Sequence, residues 1–143
     1  MKQFDLPALT RGEALAALNT APAIVRQNLP LFTHACQNHS SVNDIYPACK
    51  NDQWTCGFWP GEIWLSYELT GDAAFRDAAL VLVDSFMDRI VNKVEVDHHD
   101  MGFLYSPSCV AAYKLTGSET GKQAAILAAD QLISRFQEKG QFL

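Results

Sequence analysis

The chain has 143 residues, 48% of them hydrophobic and 19% charged, which is enough for one globular domain and excludes a disordered linker. Eleven Lys and Arg stand against sixteen Asp and Glu, a net charge of −5, and no basic block is present. Nucleic acid is therefore not an expected partner, because the electrostatic footprint for phosphate is missing.

The amino terminus carries Lys2 but no apolar run behind it; Asp5, Pro7, Arg11 and Glu13 interrupt any leader core, and no later stretch is long enough to span a membrane. The expected location is the cytoplasm. The cysteines are Cys36, Cys49, Cys56 and Cys109, with no CxxC pair, so a structural zinc site is not expected. Four free thiols are the reading that suits a reducing compartment.

The first predicted element starts at Thr10-Arg11-Gly12-Glu13, which has the form of a capping box. Apolar residues at helical spacing follow from Ala14 to Leu29. Pro22 inside this run predicts a kink or a second start, and Asn28-Leu29-Pro30 predicts the exit. From Pro30 to Cys56 periodicity disappears. A loop this long inside a compact domain is often functional.

All three tryptophans then fall within NDQWTCGFWPGEIWLSYELTGD. A helix is predicted from about Pro60 to Leu69, capped by Gly71. The next runs from Asp72 to Val91 on the stripe Phe75, Ala78, Ala79, Leu82, Val83, Phe86, Met87 and Ile90. After VDHHDMGFLYSPS a helix is predicted to Leu115, and a last one from Glu119 to Phe136.

The two halves of this region repeat. WLSYELTGDAAFRDAALVLVDSFMDR from Trp64 aligns without gaps on VAAYKLTGSETGKQAAILAADQLISR from Val110, a shift of 46 residues. Tyr67 falls on Tyr113, Leu69-Thr70-Gly71 on Leu115-Thr116-Gly117, Asp84 on Asp130 and Arg89 on Arg135. A helix–LTG–helix unit at this period predicts stacked helical hairpins. The fold class is all-α, with about five helices, and no strand pattern competes. The repeated tyrosines read as packing, and the repeated Asp and Arg residues as ion pairs or solvated faces. The last helix still has an apolar face when the sequence stops, so residues 1–143 read as the N-terminal portion of a larger single domain.

The segment Asp97-His98-His99-Asp100 sits at the junction between the two units. Junction loops of a helical toroid gather at one end, where the loop carrying Trp54 also arrives in this reading. Carboxylates beside tryptophans suit a carbohydrate: aromatic faces cover the apolar faces of sugar rings, and carboxylates accept from hydroxyls or carry protons. Asp100 alternatively reads as a helix N-cap before Met101. His98 reads as a loop residue, and Trp59 and Trp64 as core. The adjacent His-Asp pair, with His34 and His39, also fits a metal-dependent phosphohydrolase of the HD type.

Taken together, WTCGFWPGEIWLSYELTGD, VDHHDMGFLYSPSCVAAYKLTG and AADQLISRFQEKGQF resemble the unsaturated glucuronyl hydrolases, glycoside hydrolase family 88. The resemblance runs along nearly the whole chain. It implies part of an (α/α)6 six-hairpin barrel. It implies an enzyme that removes a 4,5-unsaturated uronic acid from the non-reducing end of lyase-generated glycosaminoglycan oligosaccharides, by hydrating a vinyl ether. No metal or organic cofactor is implied. The implied catalytic residue is Asp100; the implied substrate contacts are Trp54, Phe58 and His99. The family's second aspartate, its proton donor, is expected on a helix beyond this sequence, and Asp97 is not favoured as its substitute. Cys56 stands where the family usually has Asn or Asp. The alternatives are a non-catalytic remnant that self-associates through uncovered barrel faces, and an enzyme of the sister type acting on unsaturated rhamnogalacturonan.

Overall fold

The computed structural model of the chain describes residues 8–143. The reading of Lys2, Asp5 and Pro7 as excluding a leader falls outside those residues. Helix α1 (Arg11–Phe32) begins with the predicted capping box: Thr10 accepts from the Glu13 amide, and the Glu13 carboxylate accepts from the Thr10 amide at 2.8 Å. Neither proline breaks it. Pro22 and Pro30 both lie inside one helix that ends two residues past the predicted exit. The carbonyls that lose a donor belong to Leu18 and Arg26, both exposed residues open to water. Pro22 itself is buried with Val25 and Phe32 on the face turned to the core.

The long loop has more structure than its composition predicted. Strands β1 (Cys36–Gln37) and β2 (Ala48–Cys49) pair antiparallel, with Cys36 opposite Cys49. Between them Val42 and Ile45 exchange two backbone hydrogen bonds around Asn43 and Asp44, whose φ values are 50° and 62°. Two consecutive left-handed residues make a tight hairpin turn, and Asn and Asp tolerate that conformation.

Helices α2 (Phe58–Thr70) and α3 (Ala73–Val91) form the first hairpin. In the second, α4 (Met101–Tyr105), a π-helical turn (Ser106–Val110) and α5 (Ala111–Thr116) make one interrupted rod, which pairs with α6 (Glu119–Ile133). Pro107 explains the interruption, since it has no N–H for the α-helical ladder. In the widened turn the Ser108 carbonyl accepts from the Ala111 amide and also from the Trp64 indole, the latter at 3.0 Å. The last helix stops three residues before the predicted Phe136.

The repeat is visible in the backbone. Gly71 and Gly117 adopt φ of 69° and 74°, and their amides bond to the carbonyls of Tyr67 and Tyr113. The following Asp72 and Ser118 cap α3 and α6 with their side chains. The LTG signature is thus a left-handed helix stop followed at once by a helix start.

The core lies between α2, α3, the interrupted rod and α6. It contains Trp59, Ile63, Trp64, Phe75, Leu82, Phe86, Leu104 and Ala124. Trp59 and Trp64 are core as predicted, and Trp59 donates to the Phe32 carbonyl at 3.0 Å, locking α1 to α2. The outer faces are apolar but exposed: Leu15, Leu18 and Ile24 on α1, Ile126, Leu127 and Ile133 on α6. Among the described residues no helix is long and apolar enough to cross a membrane.

Candidate functional site

The site is built where α2 and α4 begin. Gly57, just before α2, lies against the backbone of α4; a Cβ there would stand 2.1 Å from the Phe103 carbonyl oxygen and 2.6 Å from the Leu104 Cα. Only a residue with no side chain permits this approach. It places the Trp54 loop beside the DHHD segment, as the junction reading predicted.

One consequence is an exposed aromatic cluster. Trp54, Phe58 and Phe103 have ring centroids 5.7 to 6.4 Å apart, in edge-on and tilted arrangements. All three remain substantially exposed. Trp54 and Phe58 were sequence candidates. Phe103 was not, although it lies in the same GF dipeptide that marks the motif; its membership depends on the Gly57 contact, which is tertiary.

Asp100 stands three residues before Phe103 at the start of α4. Its carbonyl accepts from the amides of Phe103 and Leu104. Its side chain makes no cap hydrogen bond, which corrects the N-cap reading. The reason is the backbone: Asp100 has φ −82° and ψ 12°, whereas the side-chain caps Thr10, Asp72 and Ser118 have ψ of 155°, 118° and 111°. An N-cap side chain reaches its amides from an extended conformation. The Asp100 carboxylate is thereby left for something else, with its side chain 21% exposed.

The two histidines have different roles. The Asp100 amide donates to His98 Nδ1 at 3.1 Å, so the His98 proton sits on Nε2, 3.0 Å from the Glu95 carbonyl it donates to. His98 is a strut of the loop. His99 projects outward, with Nε2 3.4 Å from Asp100 Oδ1. Asp97 is 83% exposed and pairs with Arg135.

Arg89 is the residue the sequence reading placed wrongly. It was expected in an ion pair or on a solvated face with Asp84. It is instead 2% exposed, and its guanidinium donates to four neutral oxygens. Two are the carbonyls of Val94 and Glu95, at 3.1 and 2.7 Å; the others are Asn51 Oδ1 and the Gln53 carbonyl, both at 3.0 Å. The first pair leads into the DHHD segment and the second into Trp54. One buried cation therefore fixes both site loops relative to α3. Planar donors in several directions make arginine suited to this task. Asp84 and Asp130 lie on exposed faces, as expected for the solvated alternative.

Among the described residues no three His, Cys, Asp or Glu side chains are gathered in a metal-holding arrangement. His39 is engaged by Gln53, whose Oε1 accepts from the His39 amide and lies 2.9 Å from its Nδ1. It is not brought to His98 and Asp100 as an HD-type ligand set would need.

Comparison with known proteins agrees with this geometry. Residues 31–143 match the sequence profile of Glycosyl Hydrolase Family 88. The chain is 42% identical over 140 residues to the unsaturated chondroitin disaccharide hydrolase of Streptococcus pneumoniae (strain ATCC BAA-255 / R6), covering 98% of this chain and 35% of that protein. The crystal structure of unsaturated glucuronyl hydrolase from Streptococcus agalactiae superposes with a TM-score of 0.89 at 40% identity, over 95% of this chain and 34% of that one. A variant of that enzyme complexed with dGlcA-GalNAc6S superposes at 0.86 and 38% identity, over 92% of this chain and 35% of that one. The chain thus spans about a third of the length of these relatives. Its helical hairpins are part of a six-hairpin (α/α)6 barrel, and the chain belongs to glycosyl hydrolase family 88.

Proposed function

We propose that this segment forms one wall of the active site of an unsaturated glucuronyl hydrolase, which releases a 4,5-unsaturated uronic acid from glycosaminoglycan oligosaccharides. The observation that carries the reading is the Asp100 carboxylate, which makes no capping hydrogen bond and has no arginine or lysine partner, beside the exposed Trp54–Phe58–Phe103 cluster. A sugar ring resting on the aromatic faces presents hydroxyls to that carboxylate, which accepts from them. His99 adds a second polar contact from the same turn. Arg89 and Gly57 keep the two loops in place, so little reorganisation is needed when substrate arrives.

The chemistry is addition of water across a vinyl ether. A proton is delivered to C4 of the unsaturated ring. Positive charge develops at C5 and the ring oxygen, where a nearby carboxylate stabilises it. Water adds at C5 and loses a proton, and the hemiketal opens and frees the neighbouring sugar. In this reading Asp100 binds hydroxyls and supports the charge change, and the proton comes from an aspartate on a later helix of the barrel. Asp97 is unsuited to that part, because it is exposed and held by Arg135. The exposed faces of α1 and α6 are where further hairpins, or another copy of the chain, would pack. The expected compartment is the cytoplasm.

The experiment is loss of the ultraviolet absorbance of an unsaturated chondroitin disaccharide, run on the protein carrying this segment. Turnover that Asp100→Asn abolishes is the expected result. Turnover unaffected by that substitution, or none at all by the unsubstituted protein, overturns the proposal.

A further inference from the structure

Phe58 belongs to two places at once. Its ring is part of the exposed cluster with Trp54 and Phe103. It also borders a cavity of about 260 Å³ between the start of α2 and the connection from β1 to β2. We propose that this cavity receives the sugar next to the unsaturated uronic acid, the one the reaction releases, and that Glu62 on its wall admits that sugar without sulfate. The proposal rests on the hydrolase reading above, which places the uronic acid at Asp100.

The walls have the chemistry of a neutral polyhydroxyl ligand. Thr55 borders the cavity, and its buried hydroxyl has no hydrogen-bond partner. A buried hydroxyl without a partner is costly, so a ligand hydroxyl that meets it is favoured. Thr55 is itself fixed by the adjacent turn, where its carbonyl accepts from the Phe58 amide at 3.0 Å. His39 supplies an acceptor. Gln53 Oε1 already accepts from the His39 amide and is an acceptor only, so His39 Nδ1, 2.9 Å from it, carries the ring proton and Nε2 keeps its lone pair. The Gln37 amide and the Tyr46 hydroxyl add groups that both donate and accept. Tyr46 and Phe58 bring aromatic surface of the kind that covers the apolar face of a sugar ring.

Charge decides which sugar enters. Glu62 is the one carboxylate on the wall, and no Lys or Arg borders the cavity. Among the described residues its carboxylate has no cationic partner. A sulfate on a ring in the cavity would meet that carboxylate with no counter-charge beside it, and like charges brought together cost affinity. An unsulfated ring brings hydroxyls, from which the carboxylate accepts. Asp100 does not make this distinction, because in the hydrolase reading it contacts the other sugar.

The test compares three substrates on the protein carrying this segment. They are the unsulfated unsaturated chondroitin disaccharide, its 6-sulfated form, and the methyl glycoside of the unsaturated uronic acid, which has no second sugar. Thr55→Val is expected to raise KM for the unsulfated disaccharide about three- to tenfold relative to KM for the methyl glycoside, the loss of one hydrogen bond, and Thr55→Ser to restore the ratio. The unsubstituted protein is expected to favour the unsulfated over the sulfated disaccharide in kcat/KM, and Glu62→Gln to shrink that preference at least about fivefold. Equal shifts for disaccharide and methyl glycoside in Thr55→Val, or a sulfate discrimination that Glu62→Gln leaves in place, overturn the assignment and leave the hydrolase reading standing. Absence of turnover with all three substrates removes the hydrolase reading and the assignment with it.

Discussion

Arg89 and Arg135 occupy the same place in two copies of one repeat, 46 residues apart, yet they do different work. Arg89 is enclosed and satisfies carbonyls from two loops. Arg135 is partly exposed and reaches a single carboxylate, Asp97. Both end on the same short segment: Arg89 binds the carbonyls that precede it, and Arg135 binds its first aspartate. Its last aspartate, Asp100, is bound by neither. A repeated residue can thus be kept for its helix position while its partners are set by what packs around each copy. The asymmetry leaves one carboxylate of DHHD without an arginine partner.

The largest effect expected from this contrast is on stability. Arg89→Ala removes the buried donor of four part-buried hydrogen bonds and is expected to cost about 3–5 kcal/mol. Arg135→Ala removes an exposed pair and is expected to cost under about 1 kcal/mol. Urea denaturation of both variants tests the pair; equal costs would erase the distinction. Gly57→Ala comes next, at about 3 kcal/mol, because its Cβ collides with the Phe103 and Leu104 backbone. Its diagnostic is loss of Trp54 fluorescence coupling to Phe103→Ala, which an ordinary destabilisation would leave intact. The repeat itself is probed by Gly71→Ala and Gly117→Ala, each expected to cost about 1–2 kcal/mol for left-handed backbone. Matching costs sharpen the equivalence of the two stops, and a mismatch breaks it.

The smallest effect separates the two helix starts by pH. The Ala74 amide, and after it Arg26, holds the Asp72 carboxyl below the ordinary carboxylate range. Its contribution is therefore complete above the unfolded value of about 3.9 and is lost as pH falls through the lower folded value. Ser118 at the second start has no such charge. The melting temperature should fall on acidification, and Asp72→Asn should flatten part of that fall while Ser118→Ala leaves its slope alone.

Much of the fold was legible because it is written in local chemistry. The capping box at Thr10, the LTG stops, the Asp72 cap and the apolar stripe of α3 each follow from residues within one turn of each other. The hairpin turn at Asn43-Asp44 was legible in principle, from two residues that tolerate left-handed backbone, but it was hidden inside a polar loop. What was not legible depends on packing between distant segments. Burial separates Arg89 from Arg135, the Gly57 contact brings Phe103 to Trp54, and the unextended backbone of Asp100 denies it a capping bond. Pro22 misled for the converse reason: its local rule is sound, but the carbonyls it frees lie in water.

The most direct test compares the two aspartates of DHHD. Asp97→Asn and Asp100→Asn are introduced singly into the protein carrying this segment, and turnover of an unsaturated chondroitin disaccharide is followed by its absorbance. If Asp100 is the substrate-facing carboxylate of the site, its substitution lowers kcat by about 10²–10⁴-fold, a range ordinary for a positioned carboxylate, and Asp97→Asn changes it little. Loss of activity in Asp97→Asn, with Asp100→Asn still active, would contradict the account.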